Sequence, residues 1–128
     1  MKRARLILGV LAGVVLLASS VAHTWLGWKS IAERLARTNI PPDLQAGLHL
    51  GWAFGGAAMV ILAFIVLTTF VDRLRGGRAP LSHVIAIAVV YMAFGAWAIA
   101  ESGGDLFFLG VFVVPGAMLG IAANGHDR

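Results

Sequence analysis

We predict an all-α fold for this chain: an integral membrane, antiparallel four-helix bundle that forms a single transmembrane domain over residues 1–128. Composition is the first reason. Hydrophobic residues make up 59% of the chain and charged residues 12%, whereas a soluble domain carries roughly 25% charged residues. Distribution is the second reason, because the apolar residues gather in four runs and every lysine and arginine lies outside them.

The four apolar runs cover residues 6–28, 44–71, 81–100 and 106–123. A helix needs about 20 residues to cross the hydrocarbon core of a bilayer, within a range of about 17–25. All four runs reach this range, so each predicts a membrane-spanning helix. The last run contains Pro115, which removes a backbone donor and is expected to kink its helix.

The segment between the first two runs, residues 29–43, mixes apolar and charged residues. Ile31 and Leu35 are four residues apart, which is the spacing of neighbours on one helix face, so we expect a short helix lying in the membrane interface. Asp43 directly precedes the second run and is expected to cap its helix by accepting from free N–H groups of the first turn.

Positive charge predicts the orientation, because lysine and arginine are more frequent in cytoplasmic segments of membrane proteins. With four spans, seven of the ten lysines and arginines lie on the side of the two termini and the second loop. We therefore expect a multi-pass protein of the inner (plasma) membrane with cytoplasmic N- and C-termini. The residues that decide this are Lys2, Arg3, Arg5, Arg73, Arg75, Arg78 and Arg128 on one side, against Lys29, Arg34 and Arg37 on the other.

The first run also resembles a secretory signal peptide in form. Basic residues precede an apolar stretch, and Ser20-Val21-Ala22 has the small-x-small pattern of a cleavage site. Cleavage there would leave three helices and place His23 at the new N-terminus. We favour an uncleaved first helix, because the apolar run continues past this site to Trp28.

Small residues four apart occur in every predicted helix, and such pairs let membrane helices approach closely. They predict either packing within the bundle, which we favour, or a homodimer interface. The pairs are Gly9 and Gly13, Gly51 and Gly55, Ala96 and Ala100, and Gly116 and Gly120.

Two histidines form the most specific candidate site. His23 lies five residues before the end of the first run and His49 lies five residues after the start of the second, so both have similar depth on the outer side. Two facing imidazoles are able to ligate a haem iron or a transition metal such as copper or zinc. Glu101 emerges on the same side and is a candidate carboxylate ligand, as is Asp105. We favour the alternative that both histidines bond water at the headgroup level, and a proton-relay or quinone-binding role is the third interpretation.

Other polar groups have simpler interpretations. The hydroxyl of Tyr91, near the middle of the third run, is expected to bond a carbonyl or a hydroxyl of a neighbouring helix. No charged residue falls in the middle of a run and no catalytic motif occurs, so we favour a non-enzymatic role. The chain also has no cysteine, which excludes disulfides and thiolate metal sites.

Three functional hypotheses follow. The first is a non-catalytic accessory or scaffold subunit, whose partners are the lipid bilayer and other membrane subunits or a second copy, with no nucleic acid. The second is a haem- or metal-binding membrane protein that uses His23 and His49. The third is a dimeric transporter of small molecules or lipids.

Overall fold

The computed structural model describes residues 3–124, which form four helices and no strand. The helices are α1 (Arg3–Leu35), α2 (Pro42–Leu74), α3 (Ser82–Glu101) and α4 (Leu109–Ala123). The predicted all-helical fold and the number of helices are therefore confirmed. Lys2 and Arg128, which contribute to the predicted charge bias, lie outside the described residues.

Three of the helices, α1, α2 and α3, are long and apolar enough to cross a membrane. The fourth, α4, is shorter. It consists of a five-residue π-helical turn, Leu109–Val113, followed by ten residues of α-helix. The structure thus shows three candidate spans and one shorter apolar helix.

The first helix is longer than its apolar run. It passes through a π-helical turn at His23–Gly27 and continues as α-helix from Trp28 to Leu35. The separate interfacial helix predicted around Ile31 is therefore part of α1 instead. Lys29 and the run Ala32-Glu33-Arg34-Leu35 are good helix formers, and no glycine or proline separates them from Trp28 at the end of the membrane run.

The start of α2 also differs from the prediction. Pro41 occupies the N-cap position and Pro42 the first turn, with no capping hydrogen bond from a side chain. Asp43 therefore lies inside the first turn and does not cap the helix. Proline suits this place because the first N–H groups of a helix have no intrahelical partner. The Asp43 carboxylate still lies near the positive end of the helix dipole.

The bundle has two chemically different ends. The arginine end carries the start of α1 and the α2–α3 loop, with Arg3, Arg5, Arg73, Arg75 and Arg78. The tryptophan end carries the α1–α2 and α3–α4 loops, with Trp25, Trp28, Trp52 and Trp97 nearest to it.

Neighbouring helices follow the order α2, α1, α4, α3, and α2 touches α3 only slightly. Most of the buried core lies in the half of the bundle nearest the arginine end. It comprises Leu6, Ala12 and Leu16 of α1, Ala63, Val66 and Phe70 of α2, Val84, Ile87, Ala88 and Tyr91 of α3, and Leu119, Ala122 and Ala123 of α4. The half nearest the tryptophan end is consequently less covered, above all on α2.

Helix length explains this difference in cover. α1 and α2 each have 33 residues, or ~50 Å at ~1.5 Å per residue, whereas the 20 residues of α3 reach ~30 Å. A short loop joins the end of α2 to the start of α3, so α2 ends and α3 begins at the same level at the arginine end. The α1–α2 pair therefore extends beyond α3 at the tryptophan end.

The turn between α3 and α4 is closed by local hydrogen bonds. Gly103 and Gly104 adopt φ of +73° and +97°, a left-handed region that favours glycine. The Asp105 carboxylate then accepts from the N–H of Phe107 at 2.9 Å, which caps the start of the following helical turn.

Pro115 coincides with the irregular start of α4. The N–H of Val114 donates to the carbonyl of Leu109, five residues back, as in a π-helix. Proline has no N–H, and its ring clashes with the carbonyl four residues before it, so a widened turn directly upstream relieves both problems.

Candidate functional site

The two predicted site histidines lie where α1 and α2 meet near the tryptophan end. The ring of His23 stacks on Trp52, with centroids 4.1 Å apart and planes 9° from parallel. The ring of His49 stacks on Trp28 in the same way, at 4.2 Å and 11°. Each helix thus contributes one histidine and one tryptophan to an arrangement that we name the aromatic clamp (His23, Trp28, His49 and Trp52).

A close approach at Gly27 positions the Trp52 ring of the clamp. A Cβ atom at Gly27 would lie 2.7 Å from Cζ2 of the Trp52 indole, which is closer than real Cβ atoms approach. The indole Nε1 donates to the backbone carbonyl of His23 at 2.7 Å. The π-helical turn begins at this same residue, where the regular pattern of carbonyl acceptors changes. Three contacts therefore hold the Trp52 side chain in place: close packing on Gly27, stacking on the His23 ring and the hydrogen bond to the His23 carbonyl.

The imidazole of His23 keeps one nitrogen without a partner. Its Nε2 atom is buried and has no hydrogen bond within the described part of the chain. It faces Gly55 of α2, where an added Cβ would lie 3.5 Å away. A buried polar atom without a partner costs free energy, so this nitrogen is the most unusual polar group of the site.

An open groove of about 430 Å³ runs along α2 beside His23. One row of glycines forms its floor at helical spacing: Gly47, Gly51 and Gly55. The residues that line it are His23, Leu44, Gly47, Leu48, Gly51, Trp52 and Gly55. Apart from the imidazole and the indole, the walls are aliphatic or bare backbone, so the groove suits an apolar surface that approaches closely.

At other glycines of α1 and α2, a side chain of the opposite helix occupies the space beside the glycine. Phe70 lies against Gly9, Leu67 lies 2.8 Å from a Cβ placed on Gly13, and the Thr24 side chain occupies the space beside Gly56. The GxxxG pair of α1 therefore packs inside the molecule, as we favoured.

Other small residues remain uncovered. A Cβ placed on Gly47 or Gly51 meets no heavy atom within 4 Å in the described structure. The same holds for Gly120 of α4, whereas Gly116 packs against Met92 of α3. The predicted pair Ala96 and Ala100 is exposed, so it does not pack inside the molecule.

The structure pairs each predicted histidine ligand with a tryptophan of the other helix. Among the described residues, no group of three histidine, cysteine, aspartate or glutamate side chains gathers to hold a metal ion. Asp105 caps the helix that follows it. Glu101 is the exposed last residue of α3. Haem or metal binding by His23, His49 and Glu101 stays a prediction.

A second aromatic group joins α3 and α4 at the same end. Phe94 contacts Phe112 edge-on at 4.9 Å and Trp97 at 5.4 Å, and Phe108 stacks near Phe112 at 6.3 Å. Tyr91 is part of this group at 5.7 Å from Phe112. Its hydroxyl has no hydrogen-bond partner among the described residues, contrary to the expected bond to a neighbouring helix.

No protein family, curated protein or solved structure that we compared matches this chain.

Sequence reasoning identified the histidines and tryptophans but missed their pairing. It placed Gly27 on the face of the first helix that meets its neighbours but missed its contact with Trp52, and it missed Gly47, which lines the groove. The regular spacing of Gly47, Gly51 and Gly55 was the available signal for the groove. No sequence signal that we applied predicts the π-helical turn at His23–Gly27.

Proposed function

We propose that this chain is a four-span integral membrane protein that serves as a non-catalytic accessory or scaffold subunit. Its arginine end faces the cytoplasm, and another membrane helix docks in the groove along α2. The observation that carries this proposal is the contrast between the glycines of α1 and α2. Side chains of the neighbouring helix occupy the space beside the glycines near the core, whereas nothing in the described structure occupies the space beside Gly47 and Gly51.

Charge supports the proposed orientation. The described residues of the arginine end include five arginines and a single acid, Asp72. Those of the tryptophan end include three basic residues, Lys29, Arg34 and Arg37, and four acids, Glu33, Asp43, Glu101 and Asp105. Orientation follows the lysines and arginines, because basic segments stay in the cytoplasm during insertion, so five described basic residues against three favour cytoplasmic termini in a plasma membrane.

Exposed glycines support the docking of a helix. Membrane helices gain little from burial, because lipid tails are as apolar as leucine, and they associate where small residues let their backbones approach. The groove offers three such residues in register on α2. The aromatic clamp fixes α2 against α1 beside them, so the docking face is held rigid before the partner arrives.

Substitution of the bare glycines tests this function. A Cβ at Gly51 or Gly120 meets no heavy atom within 4 Å, so Gly51→Leu places a bulky side chain in the groove and Gly120→Leu places one on α4, outside the groove. We expect the wild-type protein, extracted from its native membrane in mild detergent, to migrate as a complex larger than one chain. Gly51→Leu should reduce it to a single chain, and Gly120→Leu should not.

A wild-type protein that migrates as a single chain in the membrane extract would contradict docking. Equal loss of the larger complex in the two variants would also contradict it. The mass of the complex tells a second copy from a different subunit. A thermal melt of each variant confirms that the bundle still folds.

Ligand binding at the clamp is a second candidate function, favoured by the buried and unpartnered Nε2 of His23. Haem or a transition metal would supply a partner to this nitrogen. A visible absorption spectrum and metal analysis of the purified protein test the idea. A haem band or bound metal that is lost in both His23→Ala and His49→Ala supports it, and a colourless, metal-free, folded protein rejects it.

A further inference from the structure

Four exposed arginines lie at one level of the bundle. Gly9 of α1 packs against Phe70 of α2. Arg5 lies four residues before Gly9 and Arg75 lies five residues after Phe70, on antiparallel helices. At ~1.5 Å per residue, the two arginines are about 6 Å and about 7.5 Å beyond this contact, in the same direction. Arg3 lies two residues before Arg5, Arg78 lies three residues after Arg75, and both are also exposed.

The α2–α3 loop holds Arg78 at this level. The Asp72 carboxylate accepts from the N–H of Ala79 at 3.0 Å, and Nε of Arg73 donates to the carbonyl of Ala79 at 2.7 Å. These bonds fold the loop back onto the last turns of α2. Gly76 permits the fold with φ of +90°. The loop is therefore a fixed structure that presents Arg75 and Arg78.

These arginines lie just outside the apolar part of the helices. Leu6 is the first large apolar residue of α1 and Leu74 the last of α2, next to Arg5 and Arg75 respectively. In a bilayer this is the level of the lipid headgroups. A guanidinium group matches a phosphate with two parallel hydrogen bonds, which an ammonium group does not do. Of the described acids, only Asp72 lies at this end, and it is bonded to the loop.

We propose that the arginine end is a binding site for the headgroups of anionic phospholipids, formed by Arg3, Arg5, Arg75 and Arg78. The inference rests on the membrane insertion proposed above. It does not depend on docking along α2, because that groove lies at the other end of the bundle. Positively charged residues next to a membrane gain about 1 kcal/mol each from anionic lipid, which corresponds to about fivefold in affinity.

Lipid binding to the full chain in detergent micelles tests the proposal. Native mass spectrometry counts the lipids retained when phosphatidylglycerol or phosphatidylcholine is added in equal amounts. The wild type should retain phosphatidylglycerol at least fivefold more strongly than phosphatidylcholine. The double variant Arg75→Gln/Arg78→Gln should weaken the retention of phosphatidylglycerol by roughly 25-fold. The matched control Arg34→Gln/Arg37→Gln removes two exposed arginines from the tryptophan end and should change it little.

Three results would overturn the proposal. They are equal retention of the two lipids by the wild type, equal loss in the two double variants, and displacement of phosphatidylglycerol by millimolar inorganic phosphate. The last result would indicate a site for free phosphate. If Arg75→Gln/Arg78→Gln does not fold, Arg75→Lys/Arg78→Lys keeps the charge and loses the paired hydrogen bonds. It should retain phosphatidylglycerol less strongly than the wild type, and unchanged retention would count against the guanidinium site.

Discussion

The indole of Trp52 lies flat against the imidazole of His23 and donates its N–H to the backbone carbonyl of the same histidine. One side chain of α2 thus makes a stacking contact and a hydrogen bond with one residue of α1. This contact lies away from the main core, which is nearer the arginine end. The clamp therefore holds α1 and α2 together where few other buried side chains do so.

Replacement of Trp52 by phenylalanine tests the clamp. Phenylalanine retains a ring that can stack, but it loses the donor and part of the contact area. We expect Trp52→Phe to lower the free energy of unfolding by about 1–2 kcal/mol, measured by titration of mixed micelles with a denaturing detergent.

Trp25→Phe is the matched control, because Trp25 is 77% exposed. Its effect should stay within about 0.5 kcal/mol. Equal effects of the two substitutions would show that Trp52 contributes no more than an interfacial tryptophan.

Substitution of two glycines by alanine should lower the free energy of unfolding at Gly13 and should not lower it at Gly47. A Cβ at Gly13 would lie 2.8 Å from Leu67, so Gly13→Ala must displace this side chain or move α1 away from α2, and it should cost about 1–3 kcal/mol. Gly47→Ala meets no neighbour and should leave stability unchanged or raise it by up to ~1 kcal/mol, because alanine favours helix. The same unfolding titration measures both. A loss of stability in Gly47→Ala would show that this glycine is already covered.

Tyr91→Phe removes a hydroxyl that has no partner among the described residues. The aromatic contact with Phe112 is retained. Because a buried hydroxyl without a hydrogen bond costs about 1–3 kcal/mol, we expect the variant to be at least as stable as the wild type. A variant less stable by more than ~1 kcal/mol would show that the hydroxyl has a bonded partner such as a buried water molecule.

Asp105→Ala removes the carboxylate that accepts from Phe107 N–H at the start of the last helical segment. We expect a loss of about 1 kcal/mol in stability, as for other N-cap residues. Glu101→Ala is the control, because Glu101 is an exposed acid of the same loop region, and its effect should stay within about 0.5 kcal/mol. Thermal unfolding in detergent distinguishes the two, and equal losses would argue against capping.

The sequence predicts the helices well because apolar runs of this length have few alternatives. The second run ends at Val71, close to the end of α2 at Leu74. The third run begins at Leu81, next to the start of α3 at Ser82. The end of α1 was missed, because hydropathy changes at Trp28 whereas helix propensity continues to Leu35. Hydropathy predicts which residues prefer lipid to water. The ends of a helix are decided instead by capping residues and by helix breakers.

The site was predicted only in part. Depth along the helix follows from counting residues, so the similar level of His23 and His49 was accessible from the sequence. Which ring faces which depends on the rotation of each helix about its axis. That rotation is set by packing at Gly27 and by the π-helical turn, and neither has a signature in the apolar pattern.

The most direct test of the account is the side of the membrane on which Asn124 lies. Because the chain has no cysteine, single-cysteine variants report accessibility without background. Thr38, in the α1–α2 loop, and Asn124, after α4, are both exposed. Four spans with a cytoplasmic arginine end predict that an impermeant maleimide labels Thr38→Cys in intact cells and labels Asn124→Cys only after permeabilisation. Labelling of Asn124→Cys in intact cells would show that α4 does not cross the membrane, and protection of Thr38→Cys would contradict the orientation.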